Sequence, residues 1–244
     1  MVSLTPYLHL DVALSGARAG DRLPLGRDDR HHLGTVLRLG PGAAVEIADG
    51  CGTSAFGTLV DAEVELVSDP RVLPEPRPWL VLAQAVPKGR KLDEIVRHAC
   101  ELGVDELRVI DTARSVVRLD ERRAARGRER WNAVIRAACE QARRPRQPAV
   151  SGPIGLDRLG RDDELLLLAH PDAPPLPSVA SVWQPAARLV LAVGPEGGFS
   201  DDEVADAVAG GALAVGLGPS VLRAEHAGAA GLAVLSAATG RWNT

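Results

Sequence analysis

Apolar positions along the chain fall into two rhythms, and the change comes near residue 72. Before it, short β-type runs alternate with turn signals: Gly40-Pro41-Gly42, Val45-Glu46-Ile47, Asp49-Gly50, then Val64-Glu65-Leu66-Val67. Runs that short, punctuated by glycine and proline, predict a small β-rich domain. Pro70, Pro74, Pro76 and Pro78 follow. Proline suits neither a helix interior nor a central strand, so this stretch reads as an extended linker. Beyond it, Trp79–Ala85 is an apolar strand, and Leu92, Ile95, Val96, Ala99 and Leu102 repeat at helical spacing. Leu107–Ile110 reads as another strand. Trp131, Val134, Ile135 and Ala138 mark the apolar side of a long helix rich in arginine. Glu164–Ala169 and Leu189–Val193 are continuous apolar strands, as expected when both faces of a sheet are covered. Pro171–Pro185 reads as a surface loop, Asp201–Ala209 and Ala224–Ala238 as helices, and Ala212–Leu217 as the strand between them. Strands alternating with helices predict an α/β domain with a mainly parallel sheet over residues 73–244, after a β domain over residues 1–72.

Composition narrows the class without changing this picture. The chain has 244 residues, 45% hydrophobic and 25% charged, the profile of an ordinary globular protein. Aromatics make up only 3%, so Leu, Val, Ile and Ala must build the core. No run of eighteen apolar residues predicts a membrane span. The first thirty residues carry Asp11, Asp21, Asp28 and Asp29 and have no long apolar stretch, against a signal peptide. Cys51, Cys100 and Cys139 stand far apart, suiting reduced thiols better than a zinc site or disulfides. These features predict a cytoplasmic protein with no metal. The net charge of −4 does not suggest a nucleic-acid binder, but its distribution does. Between Glu121 and Arg146, nine arginines face three glutamates, so acidic residues elsewhere mask a basic segment.

The sharpest local signal is Gly194-Pro195-Glu196-Gly197-Gly198-Phe199-Ser200, between a buried strand and a helix. Ser200 is a natural N-cap, and Glu203 completes a capping box. Glycines just after a parallel strand let a ligand approach the backbone, although they also serve a plain tight turn. A second constellation, Gly216-Leu217-Gly218-Pro219-Ser220-Val221-Leu222-Arg223-Ala224-Glu225-His226-Ala227-Gly228, repeats the arrangement after the next strand. Two such loops can wall one pocket, rich in backbone donors and acceptors, with Glu196, Arg223, Glu225 and His226 as its titratable groups. Such a pocket suits a largely neutral nucleoside. It has neither the lysine of a phosphate-binding P-loop nor the G-x-G-x-x-G of a dinucleotide site.

GPEGGFS followed by LGPSVLRAEHA closely resembles the C-terminal signature of the RsmE family of SPOUT methyltransferases, which methylate N3 of a uridine in 16S ribosomal RNA. The likeness extends to the segment His32–Gly42, to Glu101-Leu102-Gly103-Val104, and to Glu140-Gln141 with Arg143-Arg144 and Pro148. The resemblance implies an N-terminal PUA-like β-barrel that binds RNA and a C-terminal α/β domain tied in a trefoil knot. It implies a homodimer, with S-adenosyl-L-methionine held by the loops around Leu168–His170, Val193–Gly198 and Leu217–Leu222. The cofactor residues it points to are Leu168, His170, Val193, Gly194, Pro195, Glu196, Gly197, Gly198, Leu217, Gly218, Ser220, Val221 and Leu222. Arg223 and Glu225 take the LR-x-E positions beside the cofactor. The sequence departs from the common LGPRILRTETA at Ser220, Ala224 and His226, where the family has Arg, Thr and Thr.

Chemistry assigns provisional roles. The N3–H of uridine is not an anion at neutral pH, so some group must accept the proton or stabilise charge building on O2 and O4. Arg223, always charged, is the candidate for the second role. Glu225 or His226 could accept the proton, and Glu225 is the one shared with the family. RNA contacts are expected from Lys88, Arg90 and Lys91 after the first strand of the α/β domain and from Arg143 and Arg144 at the end of the long helix. Arg27, Arg30 and Arg38 offer a modest patch in the N-terminal domain. Arg122–Arg130 reads as a solvated helix face. Two rival readings stand beside this one: a SPOUT methyltransferase acting on another RNA, and a non-catalytic RNA-binding assembly factor that keeps the fold.

Overall fold

The computed structural model describes residues 5–89, 91–160, 163–179 and 186–242. The chain folds as two compact units, one made of Met1–Glu75 with Cys139–Gln147 and the other of Pro76–Ala138 with Pro148–Thr244. Among the described residues, no helix is long and apolar enough to cross a membrane.

The first unit is built on one mixed sheet of six strands: β1 (Tyr7–His9), β2 (Arg22–Pro24), β3 (Ala44–Ala48), β4 (Thr53–Val60), β5 (Glu63–Leu66) and β6 (Arg71–Val72). Their order is β1-β3-β4-β5-β2, with β6 added to β4. β1 runs parallel to β3, and the other pairings are antiparallel. Side chains alternate across a strand, so Val45 and Ile47 of β3, Ala55 and Leu59 of β4, and Val64 and Leu66 of β5 share one buried face. Leu8, Leu14, Leu25 and Leu33 close that core. Gly57 has a steric reason: a Cβ there would collide with Val64 of the neighbouring strand. A short helix, α1 (Arg27–His31), runs into a π-helical turn (His32–Val36), and only Leu33 of the two is buried. The proline-rich stretch read as linker includes β6.

The second unit is a six-stranded, wholly parallel sheet. Its strands are β7 (Trp79–Ala85), β8 (Glu106–Asp111), β9 (Ala149–Gly155), β10 (Glu164–Ala169), β11 (Arg188–Val193) and β12 (Leu213–Val215), in the order β12-β10-β11-β7-β8-β9. Among the described residues it carries the helices α2 (Leu92–Glu101), most of α3 (Glu121–Gln141), α4 (Asp201–Ala209) and α5 (Ala224–Ala238). Alternate residues serve opposite faces. Val81, Ala83, Leu166, Leu168, Val190 and Ala192 join Phe199 and Ala212 in one core cluster. On α5, a Cβ added to Gly228 would stand 3.1 Å from Leu82, and one on Gly231 would run into Leu191. Glycine at these two positions lets α5 lie close against the sheet, at a small cost in helix propensity.

Charged groups also hold this unit together. Arg108 on β8 donates to Glu106 at 2.7 Å and Glu164 at 2.6 Å, and Arg188 adds to the same pair of carboxylates. Asp105 accepts the Leu80 N–H at 2.9 Å and pairs with Arg241. Removing one partner of a buried ion pair like this typically costs about 3–5 kcal/mol.

Candidate functional site

The loop after β11 takes its shape from its own sequence. Gly198 sits at φ +67, a left-handed conformation that favours glycine, and its N–H closes a turn onto the Pro195 carbonyl at 2.9 Å. A Cβ on Gly194 would press within 3.1–3.3 Å of the Gly198–Phe199 backbone. Ser200 then caps α4: its Oγ accepts the Glu203 N–H at 3.2 Å, and the Glu203 carboxylate accepts the Ser200 N–H at 2.8 Å. Arg114 pins the loop from outside, donating to the carbonyls of Gly197 at 3.1 Å and Phe199 at 2.9 Å. Glu196 accepts the Lys88 N–H at 2.9 Å, which ties the loop after β11 to the one after β7.

The loops after β10 and β12 are stitched to each other. His170 N–H donates to Val215 O at 2.9 Å, Gly216 N–H to Pro174 O at 2.7 Å, and Leu176 N–H to Gly216 O at 2.8 Å. Leu176 is fully buried in a short 3-10 turn (Leu176–Val179), so the expected surface loop has a packed centre. Gly216 cannot carry a side chain, since a Cβ would meet the Ala173 carbonyl at 2.6 Å.

These loops wall a cavity of about 470 Å³, within the range of small-molecule sites. Its lining includes His170, Val193, Gly194, Pro195, Glu196, Gly198, Leu217, Gly218, Ser220, Val221, Leu222, Arg223 and Glu225, all expected from the sequence. Two expected members do not line it. Leu168 points into the sheet core with no exposure, and Gly197 lies outside with its carbonyl taken by Arg114. Lys91, Ala169, Pro171, Ala224 and Ala227 line it as well; Ala169, Ala224 and Ala227 fall within the loop segments expected to wall it, whereas Lys91 and Pro171 lie outside them. Ala224 and Ala227 had a signal, being one helical turn apart just after a Gly-Pro loop. Lys91 was expected at the same sheet edge as these loops, but as an RNA contact.

The charged end of the cavity is a cluster of three. Glu225 lies in the first turn of α5, only 7% exposed. Its Oε1 is 2.6 Å from Lys91 Nζ and 4.0 Å from Arg223 Nη1, while its Oε2 is buried without a partner. The Lys91 hydrogen bond, helped by Glu225's own backbone N–H, lowers the carboxyl below its ordinary range, outweighing the effect of burial. Arg223 caps the helix through its backbone only, and its side chain stays 79% exposed. His226 is exposed.

The expected RNA contacts divide. Arg27, Arg30, Arg38 and Lys88 are exposed. Arg143 is engaged within the first unit: it donates to the Thr5 carbonyl at 2.8 Å, pairs with Glu46 at 3.1 Å and stands over the Tyr7 ring. Arg144 is half-buried, and its carbonyl meets His9 Nε2 at 2.8 Å. Arg90 lies outside the described residues. On α3, Arg130 pairs with Asp93 at 3.0 Å and Arg128 donates to Gly152 O at 2.7 Å, so the arginine run does structural work too.

Similarity to known proteins agrees with this geometry. An RNA methyltransferase domain matches residues 74–236, and an RNA methyltransferase PUA domain matches residues 25–67. Ribosomal RNA small subunit methyltransferase E of Mycobacterium bovis is 34% identical over 229 residues, covering 88% of this chain and 86% of the relative. The enzyme of the same name from Synechocystis is 32% identical, covering 85% and 70%. A crystal structure of ribosomal RNA small subunit methyltransferase E from Neisseria gonorrhoeae, bound to S-adenosyl methionine, superposes with a TM-score of 0.84 at 27% identity, covering 96% of this chain and 97% of that one. A methyltransferase from Legionella pneumophila in complex with the same cofactor gives 0.79 at 28% identity, covering 97% and 98%. With a cavity at the ends of β10, β11 and β12, and with both domains matched, this chain belongs to the RNA methyltransferase family of the ribosomal RNA small subunit methyltransferases E.

Proposed function

We propose that this protein is an S-adenosylmethionine-dependent methyltransferase that methylates N3 of a uridine in 16S ribosomal RNA. The observation that carries the proposal is the cavity itself: two glycine loops present backbone on its walls, and one end holds the Lys91–Glu225–Arg223 cluster. The cofactor fits these residues. A Cβ on Gly198 or Gly218 would meet nothing within 4 Å, so the backbone there is open to a ligand. Val193, Leu217, Val221 and Leu222 supply apolar contacts, and Glu225 Oε2 is a buried acceptor with no donor yet. When bound, the cofactor supplies an electrophilic methyl group, and the protein supplies alignment and charge.

In this reading, the loops Gly194–Gly198 and Leu217–Leu222 grip the nucleoside part by backbone hydrogen bonds, with His170 at the rim. Arg223 stabilises charge on the uracil oxygens as N3 loses its proton. Glu225, held between two cations with its carboxyl lowered, is a weak base. It serves better as their anchor than as the proton acceptor, and the proton leaves to solvent. Arg27, Arg30 and Arg38 of the first unit, together with Lys88, Arg90 and Arg144, contact the RNA backbone. A cytoplasmic homodimer, with the knotted threading that the family resemblance implies, belongs to the same proposal.

Mass-spectrometric mapping of methylated uridines in ribosomal RNA, with and without the gene, tests it. The expected result is one N3-methyluridine in 16S RNA that disappears with the gene. A lesion in transfer RNA instead would mean another target. Absent cofactor affinity would mean an assembly factor.

A further inference from the structure

We infer that Lys91 is a catalytic residue of this site, paired with Arg223 through Glu225 so that two cations face the two oxygens flanking uridine N3. The inference rests on the proposed uridine-N3 reaction and adds a residue that sequence patterns place with the RNA-gripping cluster.

The geometry separates Lys91 from that cluster. Lys88 is exposed, whereas Lys91 lines the cavity and its ammonium is 2.6 Å from Glu225 Oε1. Arg223 Nη1 is 4.0 Å from the same oxygen. One carboxylate therefore anchors two cations at the end of a cavity where, among the described residues, the other charged lining residue is Glu196, with His170 as a further titratable group. The carboxylate fixes the lysine's position before the reaction and removes the need to reorganise during it, as a group stabilising transition-state charge requires.

The substrate supplies the matching requirement. As N3 gives up its proton, negative charge spreads onto O2 and O4, one on either side of the reacting nitrogen. A single cation can meet only one of them well. Lys91 and Arg223 approach from different elements, α2 and the start of α5, so together they can meet both. In the balanced step, the proton passes to solvent and the N3 lone pair forms the new N–C bond. The S–C bond of the donor breaks with its electron pair left on sulfur, giving the neutral thioether. Glu225 keeps its charge throughout.

The test compares uridine with 5-fluorouridine at the target position of the RNA, because the fluorinated base has a more acidic N3–H and needs less help to ionise. Single-turnover methyl transfer by Lys91→Met should fall by on the order of 10² on uridine. Most of that deficit should vanish on 5-fluorouridine or as pH is raised. Lys91→Arg should recover much of the rate on uridine. Calorimetry with S-adenosylhomocysteine and with 5′-methylthioadenosine, which lacks the amino-acid end, supplies the second readout. Both should bind Lys91→Met as they bind the parent, which also shows that the variant is folded. An equal deficit on the two RNAs overturns the inference. So does a selective loss of S-adenosylhomocysteine affinity, which would make Lys91 a ligand of the cofactor's carboxylate. If the parent protein itself leaves N3 of uridine unmethylated, the proposed function fails instead, and the parent reaction shows this without any variant.

Discussion

Two cavities of comparable size lie among the described residues of the second unit, and they use glycine and charge differently. The one beside Gly194–Gly198 measures about 470 Å³ and the other about 580 Å³. The larger is lined by Asp111, Asp157, Glu164, Glu203 and Asp206, with Arg118 against them. Much of that charge is already committed to the fold. Glu203 caps α4 and accepts the Ala113 N–H at 2.7 Å, and Glu164 binds Arg108 and Arg188. Its glycines are of two kinds: a Cβ on Gly160 would meet Leu166 at 2.9 Å, whereas Gly211, at φ +97 just past the end of α4, has open space beside it and serves the helix terminus. In the smaller cavity, Gly198 and Gly218 face open space, and two of its three clustered charges are substantially exposed. Size does not pick out the site. Groups whose presence the fold does not require do.

That contrast breaks most directly at the glycines. Gly198→Val combines a left-handed backbone, costing about 1–3 kcal/mol for a residue with a side chain, with a branched group in the ligand's space. The strain falls on the stability of the loop, and the lost space should take S-adenosylmethionine binding below detection by calorimetry. Asp206→Asn in the larger cavity should leave that affinity unchanged. The reverse pattern would move the functional site to the acidic cavity.

The next effect concerns chemistry inside the smaller cavity. Arg223→Ala should slow single-turnover methyl transfer by on the order of 10² at saturating RNA while RNA affinity stays close to the parent value. A variant that transfers methyl at the parent rate once RNA saturates would make Arg223 a binding residue only.

The two cavities also show what a sequence can reveal. Helices α4 and α5 start and stop where their local signals say, at Ser200–Glu203 and after the Gly-Pro loop, because caps and turns are short-range chemistry. Strand β7 carries its apolar run without interruption. Strand β4 left no pattern, although it is the longest in its sheet, because its inward positions are Thr53, Ala55, Gly57 and Leu59. Strand β9 hides behind Ser151, Gly152 and Pro153. The cavity loops were legible for the same reason as the helices, but which members face inward was not. Strand alternation turns Leu168 into the core and Ala169 away from it, and His170 reaches the cavity from just past the strand's end. The Lys91–Glu225 pair joins residues 134 positions apart, and no local spacing encodes that contact.

A smaller effect distinguishes gripping from reacting. Lys88 is exposed and its backbone, not its side chain, holds Glu196. Lys88→Ala should therefore lower RNA affinity modestly and reduce the slope of log affinity against log salt by about 0.7, the loss of one phosphate contact on single-stranded RNA. An unchanged slope would place its ammonium away from the RNA.

The smallest effect is read in acid, where the smaller cavity's charge cluster titrates. Lys91 lowers the Glu225 carboxyl in the folded protein, so the unfolded chain binds a proton more readily there than the folded one does. The stabilisation this gives is complete above the ordinary carboxylate value of about 4.3 and is lost as pH falls through the lower folded value. Glu225→Gln lacks this contribution at every pH. Thermal unfolding should show a gap between parent and Glu225→Gln at pH 7 that holds to about pH 5 and then narrows. Asp206→Asn provides the comparison from the larger cavity. A Glu225→Gln gap that stays constant into strong acid would mean that the glutamate acts through packing, and that Lys91 holds its place without the charge pair.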